Sequence, residues 1–171
     1  MKYGNKFLAV ILTWLATWLV MAGTALAQEN GIPYAKDFAA DARIAQEKQI
    51  PILVLFSAPE CHYCERARQE FLIPITRNPV SNAKVLMRQV EIGASGKLRD
   101  FNGKMTTQGD FATLNKVRLT PTIKVYGPDG RELAAPIVGL AIADYYGGYI
   151  DDAINQGLDK IRTYSKQARE P

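Results

Sequence analysis

The chain has two cysteines, and only two residues separate them: Cys61-His62-Tyr63-Cys64. An apolar run, Ile52-Leu53-Val54-Leu55-Phe56, precedes the pair, and a helix-favouring segment, Glu65 to Leu72, follows it. A fold carrying this arrangement must turn from a buried strand into a helix at the first cysteine. The first sulfur then lies beside the unpaired N–H groups of the helix's opening turn, whose partial positive charge favours a thiolate. The thiolate is the nucleophile of thiol–disulfide exchange. The second sulfur lies one turn on, within reach of an intramolecular disulfide. The spacing points to a couple that passes two electrons.

A structural staple and a zinc half-site are the alternatives. A staple here closes a loop of about four residues, for which chain entropy gives roughly 2 kcal/mol, less than a long loop gains. Structural zinc takes four ligands. The chain offers His62, its one histidine, and no third cysteine. Redox chemistry fits the pair better than either, and no metal site is expected.

The first 27 residues read as an export signal. Lys2 and Lys6 give a positive start, Phe7 to Ala22 is apolar and uncharged, and Ala25-Leu26-Ala27 is a small-x-small cleavage pattern. Cleavage after Ala27 leaves 171 − 27 = 144 residues beginning at Gln28. The alternative is an uncleaved anchor, because Phe7 to Ala27 is 21 uncharged residues, enough to cross a bilayer. In either case the folded part is exported, and the plain Ala-x-Ala signal points to a bacterial periplasm. Without Lys2 and Lys6, the 21 basic residues fall to 19 against 17 acidic ones, a net of +2. No basic run or basic-aromatic patch occurs, which argues against a nucleic-acid partner. Two cysteines are too few for a stapled secreted scaffold. A chain of this size buries its own core, so residues 28–171 read as one domain.

Along that domain, Phe38, Ala42 and Ala45 recur at helical spacing and predict a helix over Asp37 to Gln49, stopped by Pro51. Ile52 to Phe56 has the unbroken apolarity of a strand buried on both faces. Ser57-Ala58-Pro59-Glu60 is a turn, and Cys61 to about Thr76 a second helix that Pro74 kinks or ends. Lys84 to Ile92 reads as a second buried strand, and Gly93 to Gly109 as a loop. Asp110 to Lys116 predicts a short helix with Asp110 as N-cap. Pro121 to Tyr126 is a third strand, Pro128-Asp129-Gly130 a hairpin turn, and Arg131 to Val138 a fourth strand. Ile142 to Arg162 closes the chain as a helix weakened by Gly147-Gly148 and Gly157. The order α-β-α-β-α-β-β-α describes a three-layer α/β sandwich with a small mixed sheet.

The segment Val54 to Cys64, paired with Val117-Arg118-Leu119-Thr120-Pro121-Thr122-Ile123-Lys124-Val125-Tyr126 and Pro128-Asp129-Gly130, resembles the thioredoxin superfamily. The likeness runs from about Asp37 to Ile161. Gln49-Ile50-Pro51 ahead of the strand and Phe101-Asn102-Gly103-Lys104 ahead of the third helix look most like periplasmic thioredoxin-like proteins of the SoxW kind, associated with sulfur oxidation. The resemblance implies a thioredoxin-like fold, Cys61 as attacking thiolate, Cys64 as resolving thiol, and Pro121 as a cis-proline that presents Thr120 to an extended substrate. It implies no cofactor beyond the Cys61–Cys64 disulfide, and protein disulfides or dithiols as clients; because the periplasm is held oxidising, a reductase there needs a membrane electron donor. Membrane attachment follows only if the signal stays on. The expected activity is reduction of protein disulfides. The alternatives are an isomerase or oxidase, or a thioredoxin-fold binding protein without turnover.

Three departures from the family pattern bear on the site. Cytosolic thioredoxins carry a buried Asp six residues before the first cysteine, and here that residue is Leu55. Glu60 replaces the usual Trp before the pair; its carboxylate opposes thiolate formation, whereas a protonated His62 favours it. His62-Tyr63 replaces Gly-Pro. Tyr before the second cysteine occurs in glutaredoxins and periplasmic isomerases, while His between the cysteines occurs in strong oxidants. Glu60, His62 and Tyr63 are therefore the expected tuning residues, and they pull in opposite directions.

Overall fold

The computed structural model describes residues 31–167; the export signal expected over residues 1–27 lies outside them. Helix α1 (Phe38–Lys48) starts where the Asp37 carboxylate accepts the Ala40 N–H at 2.8 Å, and it ends on Gln49 in the left-handed region at φ 54°. Strand β1 (Ile52–Ser57) is buried at every residue. Its burial follows from its place: β2 (Leu86–Glu91) pairs parallel on one side and β5 (Thr122–Tyr126) antiparallel on the other. Strand β6 (Ile137–Val138) completes the order β2-β1-β5-β6.

The two faces of β1 feed two cores. Leu53 and Leu55 pack with Ala67 and Leu72 of the cysteine-bearing helix and with Ile150, Ile154 and Leu158 of the closing helix. Ile52, Val54 and Phe56 pack with Phe38 and Ala45 of α1 and with Phe111 and Ala112. Phe38 stacks on Phe101 and Phe111 at 4.8 and 4.7 Å between ring centres. The mixed four-stranded sheet thus lies between helical layers, the three-layer sandwich expected. Across the edge, Arg88 of β2 grips Asp41 of α1, with Nε 2.9 Å from Oδ2, and Asp41 is only 5 % exposed.

Several elements differ from the sequence expectation. The second helix is α2 (His62–Arg66), a wider π turn over Ala67–Leu72, and α3 (Ile73–Arg77). Pro74 lacks an N–H and its ring crowds the preceding turn. The chain absorbs it by widening, with Ile73 N–H bonded to the Arg68 carbonyl. A further turn, α4 (Pro79–Asn82), is capped by the Asn78 side chain.

The expected loop 93–109 holds a hairpin instead, β3 (Lys97–Arg99) with β4 (Met105–Thr107). Its turn is built by Asp100, whose carboxylate accepts the N–H groups of Asn102 and Lys104, and by Gly103 at φ +80°. Strands of three residues with one buried side chain, Leu98, carry too little alternation to show in the sequence. Helix α5 (Gln108–Leu114) is capped by Thr107 rather than Asp110. The Thr107 hydroxyl accepts the Asp110 N–H at 3.1 Å and donates to the Asp110 carboxylate at 2.8 Å, so Asp110 completes the cap from inside the helix.

The fourth strand is shorter than expected. Pro136 cannot donate to a ladder, and only Glu132, as a lone bridge to Tyr126, and Ile137–Val138 pair with β5. The closing helix α6 (Ala143–Gln167) runs unbroken through its glycines. Gly157 explains part of this: a Cβ there would sit 3.0 Å from Pro51 Cβ and 3.1 Å from Val125 Cγ1. The missing side chain lets α6 lie close on the sheet. Tyr146 of α6 is buried against Phe71 with no hydrogen-bond partner for its hydroxyl among the described residues, and burial pushes its phenol up to about 12.

Candidate active site

The end of β1 and the start of α2 hold the two sulfurs. Cys61 is the N-cap of α2, with extended backbone at φ −82° and ψ 96°. Its carbonyl accepts the N–H groups of Cys64 and Glu65 at 3.0 and 3.1 Å. Its Sγ accepts the Cys64 N–H at 3.2 Å. The first sulfur therefore receives a helix N–H, and an anion there gains from the orphan donors of the first turn. Cys61 and Cys64 are joined, with Sγ–Sγ 2.08 Å and Cα–Cα 5.2 Å.

The two sulfurs are not equivalent. Cys61 is partly exposed, whereas Cys64 is 5 % exposed. An incoming thiol or disulfide meets Cys61 first. Opposite it stands the loop before β5, where the Thr120–Pro121 peptide bond is cis and Pro121 is buried. The Thr120 hydroxyl donates to Cys61 Sγ at 3.5 Å. Residues 59 positions apart in sequence thus meet at one sulfur.

The remaining sequence candidates surround the pair without entering it. Glu60 sits on the turn in the left-handed region at φ 56° and is exposed. His62 and Tyr63 occupy the first turn of α2 in solvent, their rings edge to face at 5.9 Å. Solvent screening limits what such exposed groups do to a nearby thiolate. Leu55 is fully buried behind the pair, an apolar wall. Among the described residues, no group of three or more His, Cys, Asp or Glu is arranged to hold a metal.

A cleft of about 490 Å³ opens beside the disulfide, and its lining includes residues that sequence reasoning passed over. Gln89 of β2 is 5 % exposed, and its side-chain amide donates to Ser57 Oγ at 2.9 Å and to Tyr34 Oη at 3.1 Å. Glu91 lies two residues on, in register with Ser57. The available signal was polarity out of place: Ser57 ends an apolar strand, and Gln89 stands between the buried Met87 and Val90.

A family model described as a thioredoxin-like domain matches residues 38–154, a span that takes in both cysteines and the cis-proline. The chain belongs to the thioredoxin-like family. With the Cys61–Cys64 disulfide at the start of α2, this thioredoxin-like protein is a thiol–disulfide oxidoreductase. No curated protein matches it. Solved structures similar to it include thioredoxin O2 from Arabidopsis thaliana in its oxidised state, 15 % identical with TM-score 0.48 over 74 % of this chain and 97 % of that one. Others are Trxlp from Edwardsiella tarda (20 %, 0.48, 68 % and 94 %) and oxidised mitochondrial thioredoxin 3 from Saccharomyces cerevisiae (16 %, 0.47, 72 % and 93 %).

Proposed function

We propose that this oxidoreductase works in the bacterial periplasm and reduces disulfides in protein clients. The observation that carries the reading is the asymmetry of the pair: one reachable sulfur at a helix N-terminus, one buried beneath it. The Cys61 thiolate attacks a client disulfide, a Cys61–client bond forms, and one client sulfur leaves as thiolate. Cys64 then attacks Cys61 Sγ, the mixed disulfide breaks, and the second client thiol departs. Thr120 and Pro121 supply the wall against which an extended client segment lies. Glu60, His62 and Tyr63 form the exposed rim that the client covers, and only in that covered state do the charges of the Glu60 carboxylate and a protonated His62 act strongly on the sulfur.

The reaction uses no cofactor beyond the disulfide itself. A compartment kept oxidising does not regenerate the dithiol, so a membrane electron donor completes the cycle. The export signal over residues 1–27 supports the location, and the motifs Gln49-Ile50-Pro51 and Phe101 to Lys104 support kinship with periplasmic thioredoxin-like proteins of the SoxW kind.

Cell fractionation with acid quenching and thiol alkylation tests this directly. The expected chain begins at Gln28, leaves with the periplasmic fraction, and carries Cys61 and Cys64 mostly as thiols. Recovery in the cytosol contradicts the location, and a pair held oxidised at steady state contradicts the reducing direction.

A further inference from the structure

Reduction of a disulfide by this pair leaves one proton to be placed. When Cys64 attacks Cys61, its S–H must give up a proton, because the new bond forms from the thiolate. Cys64 is buried, and burial disfavours the charged form. The fully buried Leu55 behind it offers no acceptor. An acceptor has to lie in the cleft that reaches Cys64.

Three carboxylates line that cleft: Glu60, Glu65 and Glu91. Glu65 is engaged, since Gln69 donates to one oxygen at 2.9 Å and Arg68 binds the other, and these bonds hold its carboxyl below the usual range. Glu60 is exposed on the turn outside the pair. Glu91 is half-buried at the end of β2, beside Ser57, on the sheet face that the cysteine-bearing helix covers. No salt bridge engages its carboxylate among the described residues.

Next to it, the Gln89 side chain, which lines the same cleft, spends its N–H groups on Ser57 and Tyr34, while its buried oxygen has no partner among the described residues. A buried amide oxygen without a partner is costly, and a cleft of this size, with Ser57, Gln89 and Glu91 on its wall, readily admits a water to satisfy it.

We propose that Glu91 accepts the Cys64 proton, through water held by Gln89 and Ser57. As the Cys64–Cys61 bond forms and the Cys61–client bond breaks, the electron pair of the broken bond leaves with the client sulfur. The proton passes through the held water to the Glu91 carboxylate, and from there to solvent or to the departing thiolate. Glu91 is the base; Gln89 and Ser57 are positioning residues. The inference rests on the oxidoreductase reading.

Stopped-flow mixing of the reduced protein with an equimolar aromatic disulfide, dithiobis(nitrobenzoate), separates the two steps. The first coloured thiolate reports attack by Cys61, and the second reports resolution by Cys64. Glu91→Gln is expected to slow the second phase by about tenfold or more, to flatten its pH dependence, and to leave the first phase unchanged. Glu91→Asp recovers part of the loss, and Gln89→Leu slows the second phase while leaving the first. A Glu91→Gln second phase with the wild-type rate and pH profile overturns the proposal, as does equal slowing of both phases. A first phase missing from the wild-type protein itself contradicts the oxidoreductase reading instead.

Discussion

Replacing Cys61 with serine is expected to bring disulfide reduction down to the uncatalysed background, whereas replacing Cys64 with serine accumulates protein–client mixed disulfides. The asymmetry of the pair dictates both outcomes. Cys61 is the sulfur that solvent reaches, that receives the Cys64 N–H at 3.2 Å, and that faces the Thr120 hydroxyl. Without it no nucleophile is accessible, because Cys64 is buried beneath the first turn of α2. Without Cys64 the first step still runs and the second has no attacking group. Insulin reduction and a non-reducing gel of cell extract read the two effects. If Cys61→Ser keeps turnover while Cys64→Ser traps nothing, the roles assigned to the sulfurs are wrong.

The largest effect on stability is expected at Arg88. Its guanidinium donates to the Asp41 carboxylate, and that carboxylate is 5 % exposed, wedged between α1 and β2. Arg88→Met leaves the charge buried and uncompensated, which costs about 3–5 kcal/mol. Native domains hold about 5–15 kcal/mol in total, so this one change removes a large share. Removing both charges together, as Asp41→Leu with Arg88→Met, costs less than the single change, because the penalty lies in the orphaned charge and not in the loss of the pair. Urea unfolding of the oxidised protein measures both. A single variant within about 0.5 kcal/mol of wild type means that solvent reaches Asp41 freely.

The sequence spoke most clearly where local chemistry and tertiary placement agree. The unbroken apolarity of Ile52 to Phe56 marked a strand buried on both faces, and β1 is an interior strand of the sheet, flanked by β2 and β5. Cys61 stands at the strand-to-helix junction that the motif required. The proximity of Thr120 to Cys61 was legible only through resemblance, since no local pattern links residues that far apart.

Where the reading missed, the deciding signal was non-local or weak. The β3–β4 hairpin is held by Asp100's side chain and one buried leucine, which periodicity does not register. Gly157 looked like a weakness in α6, but the helix tolerates it because the sheet occupies the space a side chain would need. Gln89 and Glu91 sat unremarked inside a strand read as buried, because their meaning comes from the cleft beside Cys64. Polar residues interrupting an apolar strand behind a reactive pair are the pattern to look for.

A redox-active pair requires the two sulfurs to open and close together. Equilibration of the purified protein across dithiothreitol and glutathione redox buffers, followed by alkylation and intact-mass measurement, tests this most directly. The expected record is a single two-electron transition in which both thiols are alkylated or neither is, with a midpoint inside the range of known exchange proteins, roughly −120 to −270 mV. A bond that stays closed even in excess dithiothreitol would make Cys61–Cys64 a staple and contradict the central claim.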